Sequence, residues 1–148
     1  VASIAIVHET LAISSVESVD FDQVFDRIIH NAIELSSKLI KYQKVGEFGV
    51  FDNQRATPLA LIITELIHNA IEHGLEKAGD ELIVEISRSG DSAVVKVTDN
   101  GIGLPEGFNI DSSSNLGLQI VKTLTENELK GTINIAVKDG RTEANLKF

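Results

Sequence analysis

Two short segments of this chain combine polar side chains and glycines at spacings that could do chemistry. Residues 64–74 read TELIHNAIEHG, and residues 97–104 read VTDNGIGL. The first places polar residues on an otherwise apolar helix, and the second ends a strand with a carboxylate and two glycines. Either segment alone is a weak signal. Together, in this order, they indicate a pocket for a purine nucleotide and its metal ion.

The polar side chains of the first segment lie along one line of the predicted helix, because they recur at steps of three and four residues. They are Thr64, Glu65, His68, Asn69, Glu72 and His73. Burying such a group without a partner costs roughly 2–7 kcal/mol, so the stripe must face water or a ligand. A solvated face is the more common explanation of a stripe alone. The neighbouring glycine-rich strand end makes a binding site the better interpretation.

Glu65 and Asn69 lie one helical turn apart on this stripe. An amide oxygen is a hard ligand suited to Mg²⁺, which keeps several waters and takes other ligands from phosphate. A carboxylate one turn earlier can orient a metal-bound water or accept a proton, as a base does in phosphoryl transfer. The pair therefore predicts a metal ligand at Asn69 and a catalytic carboxylate, acting as a base, at Glu65.

Asp99 is predicted at the rim of the core-facing side of its strand, because apolar residues occupy alternate positions up to Val97. A carboxylate there can accept a hydrogen bond from the exocyclic amine of adenine, whereas guanine offers a carbonyl at that place. Gly101 and Gly103 would let the backbone turn sharply and approach the base. The alternative is an ordinary Asp-Asn-Gly turn, which is common after a strand.

Residues 116–121, LGLQIV, begin a helix at the end of a loop over residues 104–116 that is predicted to be mobile. Free N–H groups and the helix dipole at such a terminus suit a triphosphate, and Gly117 would allow close approach. Without the other segments this would be an ordinary helix start. Thr142, at the beginning of the last strand, could reach the base from the sheet.

The composition narrows the functional classes. A chain of 148 residues is one domain, or one domain plus a helical attachment, and no apolar run approaches the ~20 residues of a membrane helix. The absence of cysteine excludes disulfides and thiolate metal sites, and it fits a reducing compartment. The net charge of −9 argues against a nucleic-acid-binding face and requires a cation beside any polyphosphate. With no methionine, Val1 is not expected to be the natural start.

The apolar periodicity predicts an α+β fold, a two-layer sandwich of antiparallel strands with helices on one face. The predicted helices are residues 1–14, a helix capped by Asp20, a helix from Thr57-Pro58 to about Gly74, and residues 116–126. The predicted strands lie in residues 39–51, in a hairpin of 81–88 and 92–98, and in a hairpin of 132–137 and 142–148. No histidine pair has usual zinc spacing, and no Ser/His/Asp arrangement is evident.

These motifs resemble those of the GHKL (Bergerat-fold) ATPases, which include gyrase, Hsp90, MutL and the histidine kinases. Residues 65–70 look like the N box, residues 99–103 like the G1 box and residues 116–121 like the G2 box. The resemblance covers about residues 40–148. Residues 4–11 and 19–22 are similar to the end of the dimerisation region of the HisKA_2 class of sensor histidine kinases.

The resemblance implies a Bergerat fold over residues 39–148, preceded by a helical stub of the dimerisation region and a linker helix over residues 1–38. It implies that Asn69 holds Mg²⁺, that Asp99 holds the adenine of ATP, that Glu65 assists transfer of the γ-phosphate to a histidine, and that residues 104–116 form the ATP lid. The other nucleotide contacts would be His73, Gly101, Gly103, Leu116, Gly117, Leu118 and Thr142.

The partners implied are the dimerisation and phosphoacceptor domain, in a homodimer, and a response regulator, for which an RNA-binding antiterminator type is one candidate. No direct nucleic-acid partner and no membrane segment within this chain are expected, and the location is expected to be cytoplasmic. The phosphoacceptor histidine of the family lies upstream, and we interpret His8 as structural. This chain is therefore expected to bind ATP but not to phosphorylate itself.

Two departures from the family pattern leave other functions open. Ser113, Ser114 and Asn115 stand where the kinase G2 box usually has additional glycine, and Glu72 stands where the N box often has a basic residue. These differences allow a catalytically weak nucleotide sensor. A second alternative is an anti-sigma-factor serine kinase of the same fold, against which the helix over residues 4–11 argues.

Overall fold

The computed structural model describes residues 18–74, 80–101, 104, 108–112 and 115–148. The helices are α1 (Phe21–Ser36), α2 (Asn53–Asn69) and α3 (Leu116–Asn127). The strands are β1 (Ser18–Asp20), β2 (Lys41–Val45), β3 (Val50–Asp52), β4 (Glu81–Ser89), β5 (Ser92–Asp99), β6 (Thr132–Lys138) and β7 (Arg141–Lys147). The fold is α+β, as predicted. The helix expected over residues 1–14, with His8, lies outside the described residues.

Five strands form one mixed sheet in the order β2-β4-β5-β7-β6, and β1 pairs with β3 in a separate antiparallel ribbon. The expectation of antiparallel strands holds for the other neighbours in the large sheet but is wrong for β2 and β4, which run parallel. The physical reason is the connection between them. It includes α2, and a helical crossover returns the chain in the same direction.

Helix α1 begins where its sequence predicts. The Asp20 side chain accepts a hydrogen bond from the N–H of Asp22 at 3.2 Å, as an N-cap residue does. The buried residues of α1 recur at helical spacing, namely Phe21, Val24, Phe25, Ile28 and Ile29. They join the same core as the sheet, so the division of the chain at residue 38 stays a prediction.

Helix α2 begins earlier than predicted, so the assignment of its start to Thr57-Pro58 is wrong. Asp52 is the N-cap, and its Oδ1 accepts a hydrogen bond from the N–H of Arg55 at 2.9 Å. Pro58 lies inside the helix, where it provides no N–H for the helical ladder. The end of this helical segment agrees with the prediction, since α2 passes at Asn69 into a π-helical turn, Ala70–Gly74.

Both predicted hairpins are confirmed. β4 and β5 join through Gly90 and Asp91, and β6 and β7 join through Asp139 and Gly140. The last two have φ of 53° and 74°, the left-handed pair of a type I′ turn, which matches the twist of the strands. β5 buries alternate residues up to Val97 against the helices, so its last residue, Asp99, emerges on the helical side of the sheet.

The core lies between this side of the sheet and the helices. Phe48 anchors it, with its ring 4.8 Å from that of Phe21 and 5.2 Å from that of Phe25. Contacts of this kind fix α1 against the loop after β2. Among the described residues, no helix is long and apolar enough to cross a membrane.

The loop expected to be mobile contains an ordered piece. Residues Ile110–Ser112 form a 3-10 helix, and the Ile110 side chain is buried. Gln119 Nε2 donates to the carbonyl of Ile110 at 3.2 Å, and Lys122 Nζ lies 2.8 Å from Asp111 Oδ1. The Asp111 carboxylate raises the pKa of Lys122. This part of the loop is therefore attached to α3.

Candidate nucleotide site

Asp99 ends the central strand β5 and is only 4% exposed. Its Oδ1 accepts a hydrogen bond from the N–H of Gly101 at 3.1 Å. Burial raises the pKa of this carboxyl, the Gly101 N–H opposes the rise, and the nearby Asp80 charge adds to it. Among the described residues, the Gly101 N–H is the donor recorded for this carboxylate, and a ligand could supply another.

Asn100, which the sequence analysis did not single out, closes the sheet beside Asp99. Its Oδ1 accepts a hydrogen bond from the N–H of Glu81 at 2.7 Å, and its own N–H donates to the Glu81 carbonyl at 3.3 Å. These bonds extend the β4–β5 pairing one residue beyond the pair of Leu82 and Asp99. They hold the backbone that carries the carboxylate.

Thr142 lies directly opposite Asp99 in the pairing of β5 and β7. Directly opposed residues share a face, so the two side chains are neighbours. The Thr142 hydroxyl oxygen is buried and has no hydrogen-bond partner among the described residues. A buried hydroxyl without a partner is costly, and one beside an under-donated carboxylate marks a place where a polar ligand fits. This position is compatible with the prediction that Thr142 reaches a bound base, which stays a prediction.

The predicted polar stripe on α2 divides into two kinds of residue. Glu65 and Asn69 are half-buried in the last part of α2, with Asn69 directly before the π-helical turn. His68 and Glu72 are both exposed and lie 3.1 Å apart as an ion pair if the histidine is protonated. Thr64 belongs to neither group, because its hydroxyl donates to the Ala60 carbonyl at 2.7 Å. Glu65 and Asn69 are therefore turned further toward the protein interior than His68 and Glu72 are.

The π-helical turn brings the end of α2 to the sheet. It packs against β5, the strand that carries Asp99. Lys38 Nζ donates to the Ile71 carbonyl at 2.6 Å, which satisfies one of the acceptors at this helix end. π-helical turns occur often at functional sites. His73 belongs to this turn, but its side chain is outside the described residues, as is Gly103.

The beginning of α3 forms the other side of the site. Asn115 is its N-cap, with Oδ1 accepting from the N–H of Leu118 at 3.1 Å, a role that the sequence analysis missed. Leu118 is buried, whereas Leu116 is 74% exposed. Gly117 faces Glu65: a Cβ atom at position 117 would lie 2.5 Å from Glu65 Oε2. The acid of α2 thus reaches the terminus predicted to receive phosphate.

The arrangement has two halves, one built on Asp99 and Thr142 and the other on Glu65 and Gly117. The end of α2 lies between them, since α2 packs on α3 and the π-helical turn packs on β5. Among the described residues, no three His, Cys, Asp or Glu side chains gather to hold a metal ion. A cation at Asn69 would therefore need ligands from elsewhere, as a cation bound to phosphate has.

Residues 54–148 match the family model of the histidine kinase-, DNA gyrase B- and HSP90-like ATPases. The chain belongs to this family. It is an ATPase-type domain, and ATP is the nucleotide that the family implies. The predicted resemblance to GHKL ATPases is confirmed.

The sequence relatives of the chain within this family include sensor histidine kinases. The chain is 44% identical to the sensor histidine kinase PdtaS of Mycobacterium tuberculosis over 139 residues, which cover 91% of this chain and 28% of that protein. It is 42% identical to PdtaS of Mycolicibacterium smegmatis over 152 residues, covering 99% of this chain and 30% of that protein. The chain thus spans less than a third of the length of these relatives. Over that length it is homologous to the histidine kinase catalytic domain.

Solved structures of histidine kinases share the fold. The histidine kinase domain of the blue-light activated kinase from Erythrobacter litoralis EL346 has a TM-score of 0.81 at 19% identity, covering 99% of this chain and 71% of that one. The mycobacterial sensor histidine kinase MprB has a TM-score of 0.68 at 21% identity, covering 89% of this chain and 95% of that one. The predicted Bergerat fold is confirmed.

Proposed function

We propose that this chain is the catalytic domain of a sensor histidine kinase that transfers the γ-phosphate of ATP to a histidine outside the chain. The observation that carries the proposal is the pairing of Asp99 with Thr142. A buried carboxylate with a raised pKa and a buried hydroxyl without a described partner lie side by side at the end of a central strand. Groups left so under-satisfied favour a polar ligand.

Adenine fits this half of the site. Its exocyclic amine can donate to the Asp99 carboxylate, and its ring nitrogens can accept from a hydroxyl such as that of Thr142. The N–H of Gly101 holds one carboxylate oxygen, which leaves the other for the base. Guanine would present a carbonyl to this acceptor, so the pocket should reject it. Gly103 would complete the turn around the base.

The phosphates would extend toward the beginning of α3, where Leu116, Gly117 and Leu118 present the first turn of the helix. Asn69 would contribute its amide oxygen to Mg²⁺, with His73 near the same phosphates. Mg²⁺ would neutralise part of the phosphate charge. A chain with a net charge of −9 needs such a cation to bind a polyphosphate. Glu65 would orient the accepting histidine or take its proton.

The phosphoacceptor histidine would come from a dimerisation domain, in a homodimer of a longer protein, with the phosphoryl group passed to a response regulator. A regulator of the RNA-binding antiterminator type fits the HisKA_2 resemblance. The reaction would take place in the cytoplasm, where ATP and response regulators meet. Residues 1–38 would link the dimerisation region to the catalytic domain.

Calorimetry with Mg-ATP and transfer of the γ-label of ATP test this function together. We expect micromolar to millimolar affinity for Mg-ATP, a weaker response to Mg-GTP, and acid-labile label on a phosphoacceptor domain mixed with this chain. Thr64→Val is a matched control, because the Thr64 hydroxyl already bonds within α2 and should not affect either result. Absence of Mg-ATP binding by the wild-type chain would overturn the proposal.

The same experiment decides between the remaining functions. Binding without any transfer would favour a nucleotide sensor, toward which the negative charge of Glu72 points. Acid-stable label on a serine of a partner would favour the anti-sigma kinase. Both outcomes would be consistent with the proposed nucleotide site. They would change only whether the phosphoryl group is transferred, and to which side chain.

A further inference from the structure

Gly117 is in contact with the acid that the proposed function places at the reacting centre. A Cβ atom at position 117 would lie 2.5 Å from Glu65 Oε2, 3.4 Å from Glu65 Cδ and 3.2 Å from Asn115 Oδ1. The first distance is shorter than real Cβ contacts allow. An alanine at this position would therefore displace the Glu65 carboxylate.

The backbone of Gly117 does not itself require glycine. The residue lies in the first turn of α3 with an ordinary helical conformation, unlike Gly46, Gly49, Gly90 and Gly140, which have positive φ. Alanine is the better helix former, so a helical backbone at this first-turn position gives glycine no advantage. The reason for glycine at position 117 must then lie in the space around it, and Glu65 fills that space.

From this contact we infer that Gly117 is a positioning residue for Glu65. The missing side chain lets the carboxylate of α2 rest against the first turn of α3, whose N–H groups and dipole favour negative charge. Its principal role is to set the place of the acid, rather than to make room for phosphate alone. The inference rests on the proposed role of Glu65 in phosphoryl transfer.

Two mechanisms for glycine at position 117 predict different kinetics. If the residue positions Glu65, Gly117→Ala should lower the rate constant of transfer about 10- to 100-fold, since displacement of a catalytic group by about 1 Å has this effect, while KM for Mg-ATP stays unchanged. If the residue makes room for phosphate, the affinity for Mg-ATP should fall instead. The clash is with the end of a flexible side chain, so α3 should keep its fold.

A double-mutant cycle with Glu65→Ala tests the inference. The rate of γ-phosphate transfer is measured in the longer protein that contains the phosphoacceptor histidine, and Mg-ATP affinity is measured on the same variants. We expect Glu65→Ala to lower the rate about 100-fold or more. Adding Gly117→Ala to it should cause no further loss, because no carboxylate remains to be displaced. Thr123→Ala, on the exposed side of α3, is the control and should change neither quantity.

Three results would overturn the inference. The first is that Gly117→Ala lowers the transfer rate as much in the Glu65→Ala background as in the wild type. The second is an equal fall in Mg-ATP affinity in both backgrounds, and the third is that Gly117→Ala has no effect on the wild type. Each would leave the proposed function intact, whereas a wild type that fails to bind Mg-ATP would overturn that function itself. If Gly117→Ala fails to fold, recovery of folding in the Glu65→Ala double variant supports the contact, and failure to recover contradicts it.

Discussion

Asp22 and Asp99 are two largely buried carboxylates with opposite surroundings. Asp22 Oδ1 accepts from Lys44 Nζ at 2.8 Å and from the N–H of Phe48 at 2.9 Å, and its Oδ2 accepts from the N–H of Gly49 at 2.9 Å. Asp99 accepts from the N–H of Gly101 and faces a second acid, Asp80. Within the part of the chain that the structure describes, the first carboxylate accepts three hydrogen bonds and the second accepts one.

The pKa values follow this difference. Burial alone would raise the pKa of Asp22, but Lys44 and the two N–H groups outweigh it, and the pKa lies below the ordinary value of 3.8. Burial raises the pKa of Asp99 above that value. A carboxylate that accepts several hydrogen bonds from the fold contributes to stability, whereas a buried carboxylate with fewer such bonds can accept a hydrogen bond from a ligand.

Asp99→Asn should have the largest effect, on nucleotide binding. It replaces one acceptor oxygen by an NH₂ group that opposes the adenine amine, so Mg-ATP affinity should fall by about 100-fold or more. Isothermal titration calorimetry measures the loss. An equal loss of Mg-ATP affinity in Asp22→Asn would contradict the different roles given to the two carboxylates, since Asp22 has no expected contact with the nucleotide.

Asp22→Asn should cost about 2–3 kcal/mol of stability, because it weakens a charge-assisted bond and leaves Lys44 only the more distant Asp26 carboxylate, 4.0 Å away, as a charged partner. Urea unfolding, followed by circular dichroism, gives the free energy of unfolding. A variant within about 0.5 kcal/mol of the wild type would show that these bonds do not hold α1 to the loop at Phe48 and Gly49.

Thr142→Val should lower Mg-ATP affinity about tenfold without destabilising the free chain, because it removes a buried hydroxyl that has no partner among the described residues. Thr125→Val is the matched control. The Thr125 hydroxyl is also buried and without a described partner, but it lies far along α3 from the first turn. Equal loss of affinity in both variants would argue against a base contact by Thr142.

The smallest effect concerns pH. The lowered pKa of Asp22 adds stability above pH 3.8 that is lost as the pH falls through its folded pKa. The raised pKa of Asp99 acts in reverse, removing stability as the pH rises from 3.8 through its folded pKa. Without nucleotide, Asp99→Asn should therefore be more stable than the wild type at pH 7, on the order of 1 kcal/mol, but not at pH 3. Thermal melts at both pH values measure this, and a gain of equal size at pH 3 would contradict it.

The sequence predicted the elements whose pattern repeats locally. The Asp20 cap, the two hairpins and the place of Asp99 on β5 follow from neighbours along the chain. The start of α2 was misplaced because residues 53–57 are mostly polar and show no apolar period, so the proline seemed to be the boundary. The cap at Asp52 is visible only from its bond to Arg55.

Contacts between distant segments could not be predicted in this way. Glu65 and Gly117 were each identified from a motif, yet their contact depends on the packing of α2 against α3. The parallel pairing of β2 with β4 and the bonds of Asn100 to Glu81 depend on the path of the chain through α2. The sequence thus proposed residues for the candidate site but could not predict the contacts between its two halves.

Helix α3 touches three parts of the molecule that are separate in sequence. Its first turn meets Glu65, its side holds the 3-10 helix through Gln119 and Lys122, and the carbonyl of Thr125 accepts from the N–H of Gly131 just before β6. A small rigid-body displacement of this one helix would move together the first turn, which contacts Glu65, and the attached 3-10 helix. Control of the phosphoryl-transfer step could then be exerted from the outer surface of α3, with the base pocket on β5 left undisturbed.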